Sequence, residues 1–424
     1  MIRHAGTWTP DDRAGSVWQY LPFEVSASTA GVRVTLDFDR SHGAGGVLDL
    51  GLVDPQGWRG WSGGARSVVE IGPGSSTPGY LDRGLPTGEW QVVLGLHRVP
   101  AQGLPWQVVV DTDATVVDSS VVDSAVVGSA VVDSPGAWSG PRSPVPPRRP
   151  RRDLPAVDGL TWRAGDCHAH TVHSDGSLTI DELAALAAGR GLDFLWVTDH
   201  NTTSHHPFLA EAGARHGIEL LPGQEVTTAD GHANAFGDIG WVDFRRPGGE
   251  WAADVTSRGG LLSVNHPVSG DCAWRHPPPA SAGGAPTSPA PAAEVWHSSW
   301  TDRADGGPLA WWIAAGSPLP LGGSDFHRPG HDAAPGSPTT WVACEDGDVL
   351  GGMLAGRTAV SAGPDAPLLL RVGDELVAID ADGTMLVCPD GRRSPVRGDR
   401  AIVGGHEGHH LLELTDRTVV AIAA

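Results

Sequence analysis

The stretch DCHAHTVHSDG raises the first chemical expectation. His168 and His170 stand two residues apart, so an extended strand would put both side chains on one face, where two imidazoles can reach one cation. A lone HxH pair is weak evidence. It is followed, however, by Asp175, by His200 in TDHN, by Glu225 after a Pro-Gly-Gln turn, by His266 in NHP, by His297 in WHS, and by Asp325 and His327 in SDFH. Taken singly, each has an ordinary reading as a turn Asp, a hydrogen-bonded core His or a solvated Glu. Their recurrence at one end of successive apolar runs is hard to explain that way. Imidazole and carboxylate without thiolate suit divalent Zn, Mn or Fe in open sites that favour hydrolytic chemistry. More than four such ligands implies more than one ion, and Glu225 is suited to bridge a pair. Of the 19 His residues, 13 lie between His168 and His331, which concentrates the chemistry there.

Elements with a clear pattern must present these residues. TIDELAALAAGRG begins with a helix-start signal, Thr179 followed by Asp181 and Glu182, and stops near Gly189 to Gly191. LDFLWVTDH reads as a buried strand delivering Asp199 and His200 at its end, and IELLPGQEV, GGLLSVNHP, AAEVWHSSW and PLPLGGSDFH repeat that placement. Polar residues gathered at the C-terminal ends of successive strands are how an α/β barrel builds a site on one face. Cys167, between Asp166 and His168, should point away from the two His and into packing. Asp199 reads equally as a group orienting a ligand and as a turn Asp. The sequence holds no phosphate-binding GxxxxGK[ST] loop or Rossmann fingerprint, and metal-activated water is the nucleophile it supports.

Either side of this segment the pattern is β. Residues 1–113 carry VRVTLDF, VLDLGLV, SVVEIG, WQVVLGL and WQVVV between turn clusters, the signature of a β-sandwich accessory domain with no residue of chemical character. A structural or oligomerising appendage is the plainer reading, a substrate-binding module the alternative. Residues 114–158 form a low-complexity linker, with VVDSS-type near-repeats and a basic knot at Arg148, Arg149, Arg151 and Arg152 that reads as solvated. Residues 159–363 are the catalytic domain, interrupted by the surface insertion WRHPPPASAGGAPTSPAPAA. Residues 364–424 form a small C-terminal β-domain whose His406, His409 and His410 read as exposed hairpin.

Composition limits the classes. A chain of 424 residues has room for two or three domains. Its net charge of −21, with every cationic side chain an Arg, argues against a nucleic-acid partner. Four scattered Cys form neither a zinc ribbon nor a disulfide framework. No apolar run is long enough for a membrane span and the N-terminal residues show no secretory signal, so the expected location is the cytoplasm and the expected partner a small-molecule ester. Oligomeric state is not legible.

The order HxHTxxSDG, TDHN, GxE, NHP and GGSDFH resembles the PHP superfamily, named for polymerase and histidinol phosphatase, over residues 166 to about 330. GQEVTTADGHANAFG and GGMLAGRTAVS are similar to the branch that includes a carbaryl (aryl carbamate) hydrolase. The resemblance implies a distorted (β/α)7 TIM-like barrel, flanked here by the two β-domains, and two or three divalent ions (Mn, Zn or Fe). It implies one ion at His168, His170, Glu225 and Asp325, a second at Glu225 and His266, and a third at Asp175, His200 and His327. His297 and His232 compete to complete the second site. His297 is favoured as ligand, although relatives often carry Asn there, with His232 as proton donor or substrate contact. Glu225, Asp325 and His232 would then be the catalytic set and Arg328 a substrate contact. The implied activity is a phosphoesterase using a hydroxide bridged between ions on small phosphate mono- or diesters. A carboxylic ester, carbamate or amide hydrolase is the alternative, and a non-catalytic metal-binding protein a further one.

Overall fold

Alternation of apolar and polar residues sets the N-terminal strands. The computed structural model describes residues 1–39, 45–116, 150–276, 292–297, 307–404 and 407–423. Most of the linker, most of the proline-rich insertion, and Arg148, Arg149 and His406 lie outside the described residues. The N-terminal strands are β1 (Ile2–Trp8), β2 (Trp18–Val25), β3 (Val32–Phe38), β4 (Val47–Asp54), β5 (Gly57–Gly63), β6 (Val68–Gly72), β7 (Ser75–Ser76), β8 (Gly88–Arg98) and β9 (Leu104–Asp111). They form a 5-stranded sheet of order β1-β9-β3-β6-β7 and a 4-stranded sheet of order β2-β8-β4-β5. In β3, Val32, Val34, Leu36 and Phe38 point inward while Arg33 and Asp37 point out. They share a core with Leu50, Trp90, Leu94 and Val108 from both sheets. β1 was not legible as a strand, because its buried side is weak. It is fixed by pairing with β9, and the helix that follows, α1 (Pro10–Gly15), is started by a reciprocal Thr9–Asp12 capping box.

The second set of elements is β10 (Thr161–Asp166), α2 (Ile180–Gly189), β11 (Phe194–Val197), α3 (His206–His216), β12 (Glu219–Thr228), β13 (Gly231–Phe236), α4 (Gly248–Ser257), β14 (Leu261–Val264), β15 (Ala292–His297), α5 (Gly307–Ala314), β16 (Leu319–Gly323), β17 (Thr339–Cys344), α6 (Val349–Leu354) and β18 (Thr358–Ser361). Strands β10 to β16 are neighbours in chain order. The ends of that run meet where His168 O accepts from Asp325 N (2.9 Å) and His170 N donates to Phe326 O (2.9 Å). Two features depart from a regularly alternating (β/α)7 pattern. β12 and β13 form an antiparallel hairpin with no helix between them, and β10 pairs on its other side with antiparallel β17. Nor is there a Pro-Gly-Gln turn before Glu225, since Pro222, Gly223 and Gln224 continue β12. Under the sheet, Cys167 packs with Phe194, Trp196, Phe236 and Leu321, on the side away from the His pair.

The remaining strands are β19 (Leu368–Val372), β20 (Glu375–Ile379), β21 (Met385–Val387), β22 (Arg393–Pro395), β23 (Arg400–Gly404), β24 (His410–Glu413) and β25 (Val419–Ala423). β25 hydrogen-bonds to β18, so β25, β24, β21 and β22 extend the preceding sheet, while β19, β20 and β23 form a separate 3-stranded sheet. His410 is buried and hydrogen-bonded to Gly408 O (2.9 Å), which corrects its expected exposure. Arg152 is likewise not solvated: it donates to Pro364 O and Ala366 O and lies over the Trp341 ring.

By contacts the chain divides into two compact units. One joins the N-terminal strands with Thr171–Ile180 and Asp199–Pro207; the other holds His170 and its predecessors back to residue 150, Asp181–Thr198, and the chain from Phe208 onward. No helix among the described residues is long and apolar enough to cross a membrane.

Candidate metal centre

Strand ends of the second unit bring eight of the expected residues to one place. His168 and His170 follow β10 on an extended segment whose Ala169 bridges to Phe326, so the two imidazoles share a side. One ligand atom each from His168, His170, Glu225 and Asp325 lies within 4.8 Å of all the others. The two carboxylates sit between the imidazoles. Asp325 Oδ1 is 3.1 Å from His168 Nε2 and 3.0 Å from His170 Nε2, while Oδ2 is 3.1 Å from His297 Nε2. Glu225 Oε1 is 3.4 Å from His168 Nε2, 3.3 Å from His266 Nε2 and 3.1 Å from His232 Nδ1, and Oε2 is 3.5 Å from His170 Nε2. His327 stacks on His170 with ring centroids 4.1 Å apart. Arg328 follows it, half-buried, and the backbone N–H groups of both donate to Asp332 Oδ2.

Around these lie carboxylates and an amide that sequence reasoning missed. His168 Nδ1 donates to Glu294 Oε1 (2.7 Å), and the other Glu294 oxygen accepts from His266 N (2.9 Å). Asn265 Nδ2 donates to Glu225 Oε1 (2.8 Å). Asp166 accepts from the backbone N–H groups of His168, Ser324 and Gly336, tying the end of β10 to the segment that follows β16. Simple strand alternation would send Glu294 and His297 to opposite faces. A β-bulge between Glu294 and Trp296 resets the phase, so both reach the site. His266 (φ 26°) and Asp325 (φ 51°) hold left-handed backbone conformations that cost non-glycine residues energy, as happens where surroundings over-determine a functional geometry.

The electrostatics couple these imidazoles and carboxylates tightly. Burial would lower the His168 imidazole, but Asp325, Glu294 and Glu225 hold it well above its usual value. Burial would raise the Asp325 carboxyl, yet His168, His327, His170 and His297 hold it well below the carboxylate range. Burial likewise opposes ionisation of Glu294, which His168, His297 and His266 keep below its usual value. With Nδ1 committed to Glu294, the buried Nε2 of His168 makes no hydrogen bond and faces Glu225 and Asp325. A donor set of imidazoles and ionised carboxylates around such an atom fits a divalent ion.

The other unit holds Asp175 and His200, with Asp175 Oδ1 3.5 Å from His200 Nε2. Asp199 braces the segment from Thr171 to Ser174. Its buried carboxylate accepts from Thr171 N (2.8 Å), Thr171 Oγ1 (2.7 Å) and Ser174 Oγ (2.6 Å), and lies 3.3 Å from His205 Nδ1. His173 is buried against Ser204 Oγ (2.8 Å), and burial pushes its imidazole down to about 3, so it is neutral.

Among known proteins, the chain is 38% identical over 65 residues to the phosphoribosyl 1,2-cyclic phosphate 1,2-diphosphodiesterase of Eggerthella lenta, covering 15% of this chain and 25% of that one. It is 42% identical over 66 residues to the 3',5'-nucleoside bisphosphate phosphatase of Chromobacterium violaceum, covering 16% and 23%. The chain thus spans about a quarter of the length of these curated relatives. Among solved structures it is similar to a two-domain protein containing a predicted PHP-like metal-dependent phosphoesterase from Bacteroides vulgatus, at TM-score 0.40 and 17% identity over 65% of this chain and 98% of that one. His168, His170, Asp175, His200, Glu225 and His232 all fall within residues 166–265, the segment that matches the PHP domain family model.

Proposed function

We propose that this chain is a metal-dependent phosphoesterase acting on small phosphate mono- or diesters. The observation that carries this reading is the pair of carboxylates, Glu225 and Asp325, each set between several imidazoles at 3.0–3.5 Å. Such sharing supports two adjacent ions: one held by His168, His170, Glu225 and Asp325, the other by Glu225 and His266 with His297. Asp175 and His200 would take part in holding a third. When bound, divalent ions would polarise a phosphoryl oxygen and lower the pKa of a water that attacks it. The chain's own residues do the rest. Glu294 fixes the His168 tautomer so that Nε2 points into the site, and Asn265 holds Glu225 in place. His232, half-buried beside Glu225, is placed to hold a proton for the leaving oxygen, and Arg328 to bind a negative charge on the substrate.

The activities of the two curated relatives, a diphosphodiesterase and a bisphosphate phosphatase, favour phosphorus as the centre attacked. Carbonyl attack on a carboxylic ester, carbamate or amide would use the same ligands, as the resemblance to a carbaryl hydrolase implies. The test is p-nitrophenol release by Mn-loaded protein from matched aryl phosphate mono- and diesters and an aryl carboxylic ester, with His168→Ala alongside. Phosphate ester turnover that disappears in His168→Ala is expected. Turnover of the carboxylic ester alone would move the activity to carbonyl chemistry, and no turnover of any ester would leave a metal-binding protein.

A further inference from the structure

The N-terminal strands show no chemical motif, yet one of their side chains grips the segment that carries Asp175. Arg66, just past β5, is buried, and its guanidinium donates from Nη1 to Ser174 O (3.1 Å) and from Nη2 to Val172 O. Gly79, between β7 and β8, makes a second connection. Its N–H donates to Ser204 Oγ (3.1 Å) and its carbonyl accepts from Thr202 Oγ1 (2.8 Å). With φ at 100°, and a would-be Cβ only 2.7 Å from His173 O, this position admits glycine alone. Asp199 and Ser204 then join the two segments to each other, through Thr171 and Ser174 on one side and His173 on the other. His200 sits one residue after Asp199, and Asp175 one residue after Ser174.

We propose that the N-terminal sandwich is a working part of the metal chemistry, with Arg66 as a positioning residue that sets the Asp175–His200 pair by clamping the carbonyls of Val172 and Ser174. This rests on the metallohydrolase reading above. A guanidinium suits the task because its rigid fork reaches two carbonyls at once, whereas an ammonium acts as a single point charge. Burying that charge is costly, and the carboxylates of Asp199 and Asp175 lie close enough to offset part of the cost.

The experiment titrates chelator-stripped full-length protein with Mn and follows free Mn by electron paramagnetic resonance, in wild type and in Arg66→Met, Arg66→Lys, Ser204→Ala and Leu36→Val variants. The expected result is about 10–100-fold weaker binding of one class of Mn in Arg66→Met, the range found when an outer partner of a metal ligand is lost. Arg66→Lys should recover part of that loss. Leu36→Val, a change in the sandwich core alone, should lower the melting temperature without moving any Mn constant. If Arg66→Met does not fold, Ser204→Ala must show the same class of Mn weakened. Wild-type Mn binding in Arg66→Met, or in Ser204→Ala where Arg66→Met cannot be studied, overturns this inference alone. A wild-type protein that binds no Mn overturns it together with the metallohydrolase reading.

Discussion

At the scale of single residues, the site depends on groups that never need to touch an ion. Glu294 directs His168 Nε2 into the pocket through one oxygen and holds the His266 backbone through the other. Glu294→Gln keeps the shape and removes the charge, so Mn affinity measured by calorimetry should fall about 10–100-fold; an unchanged affinity would mean that His168 is oriented by packing alone. The ligand candidates themselves were legible because imidazoles and carboxylates recur at the ends of apolar runs. Glu294 was not, because strand alternation places it opposite His297 and only the bulge in β15 brings both to one side. Asn265 was hidden for another reason: beside His266 in NHP it has no signal of its own until Glu225 is seen within 2.8 Å of it.

At the scale of elements, local patterns located several strands and the helix α2, whose first turn carries Asp181 and Glu182 as expected of a helix start. Pairings were less legible. Pro222 and Gly223 look like a turn, yet they lie within β12, where Gly223 leaves no room for a side chain against Thr198. β12 and β13 form an antiparallel hairpin, and β21, β22, β24 and β25 join the central sheet through the pairing of β18 with β25. One glycine at a strand end ties fold to chemistry. A Cβ at Gly323, the last residue of β16, would lie 2.3 Å from Glu294 Oε1 and 2.5 Å from His168 Cβ. Gly323→Ala should therefore weaken Mn binding at least as much as Glu294→Gln, while the far-ultraviolet circular dichroism of the strands is retained. Normal Mn affinity in this variant would show that the Glu294–His168 contact can shift without consequence.

At the scale of the whole molecule, composition limited the expected classes, and the pattern of apolar runs separated β-rich ends from an α/β middle. Neither could reveal that two segments from that middle, Thr171–Ile180 and Asp199–Pro207, group with the N-terminal strands. Hydrogen bonds of Arg66, Gly79 and Ser204, unremarkable letters in the sequence, lie within that group. The central claim, that bound divalent ions make this chain a phosphoesterase, is tested most directly by restoring them. Chelator-stripped wild type and Asp325→Asn would be titrated with Mn while hydrolysis of an aryl phosphate diester is followed. Turnover should appear in wild type in proportion to Mn bound, and in Asp325→Asn it should fall by more than about 100-fold, beyond the effect of losing an outer partner. Turnover that needs no metal, or that survives in Asp325→Asn, would contradict the claim.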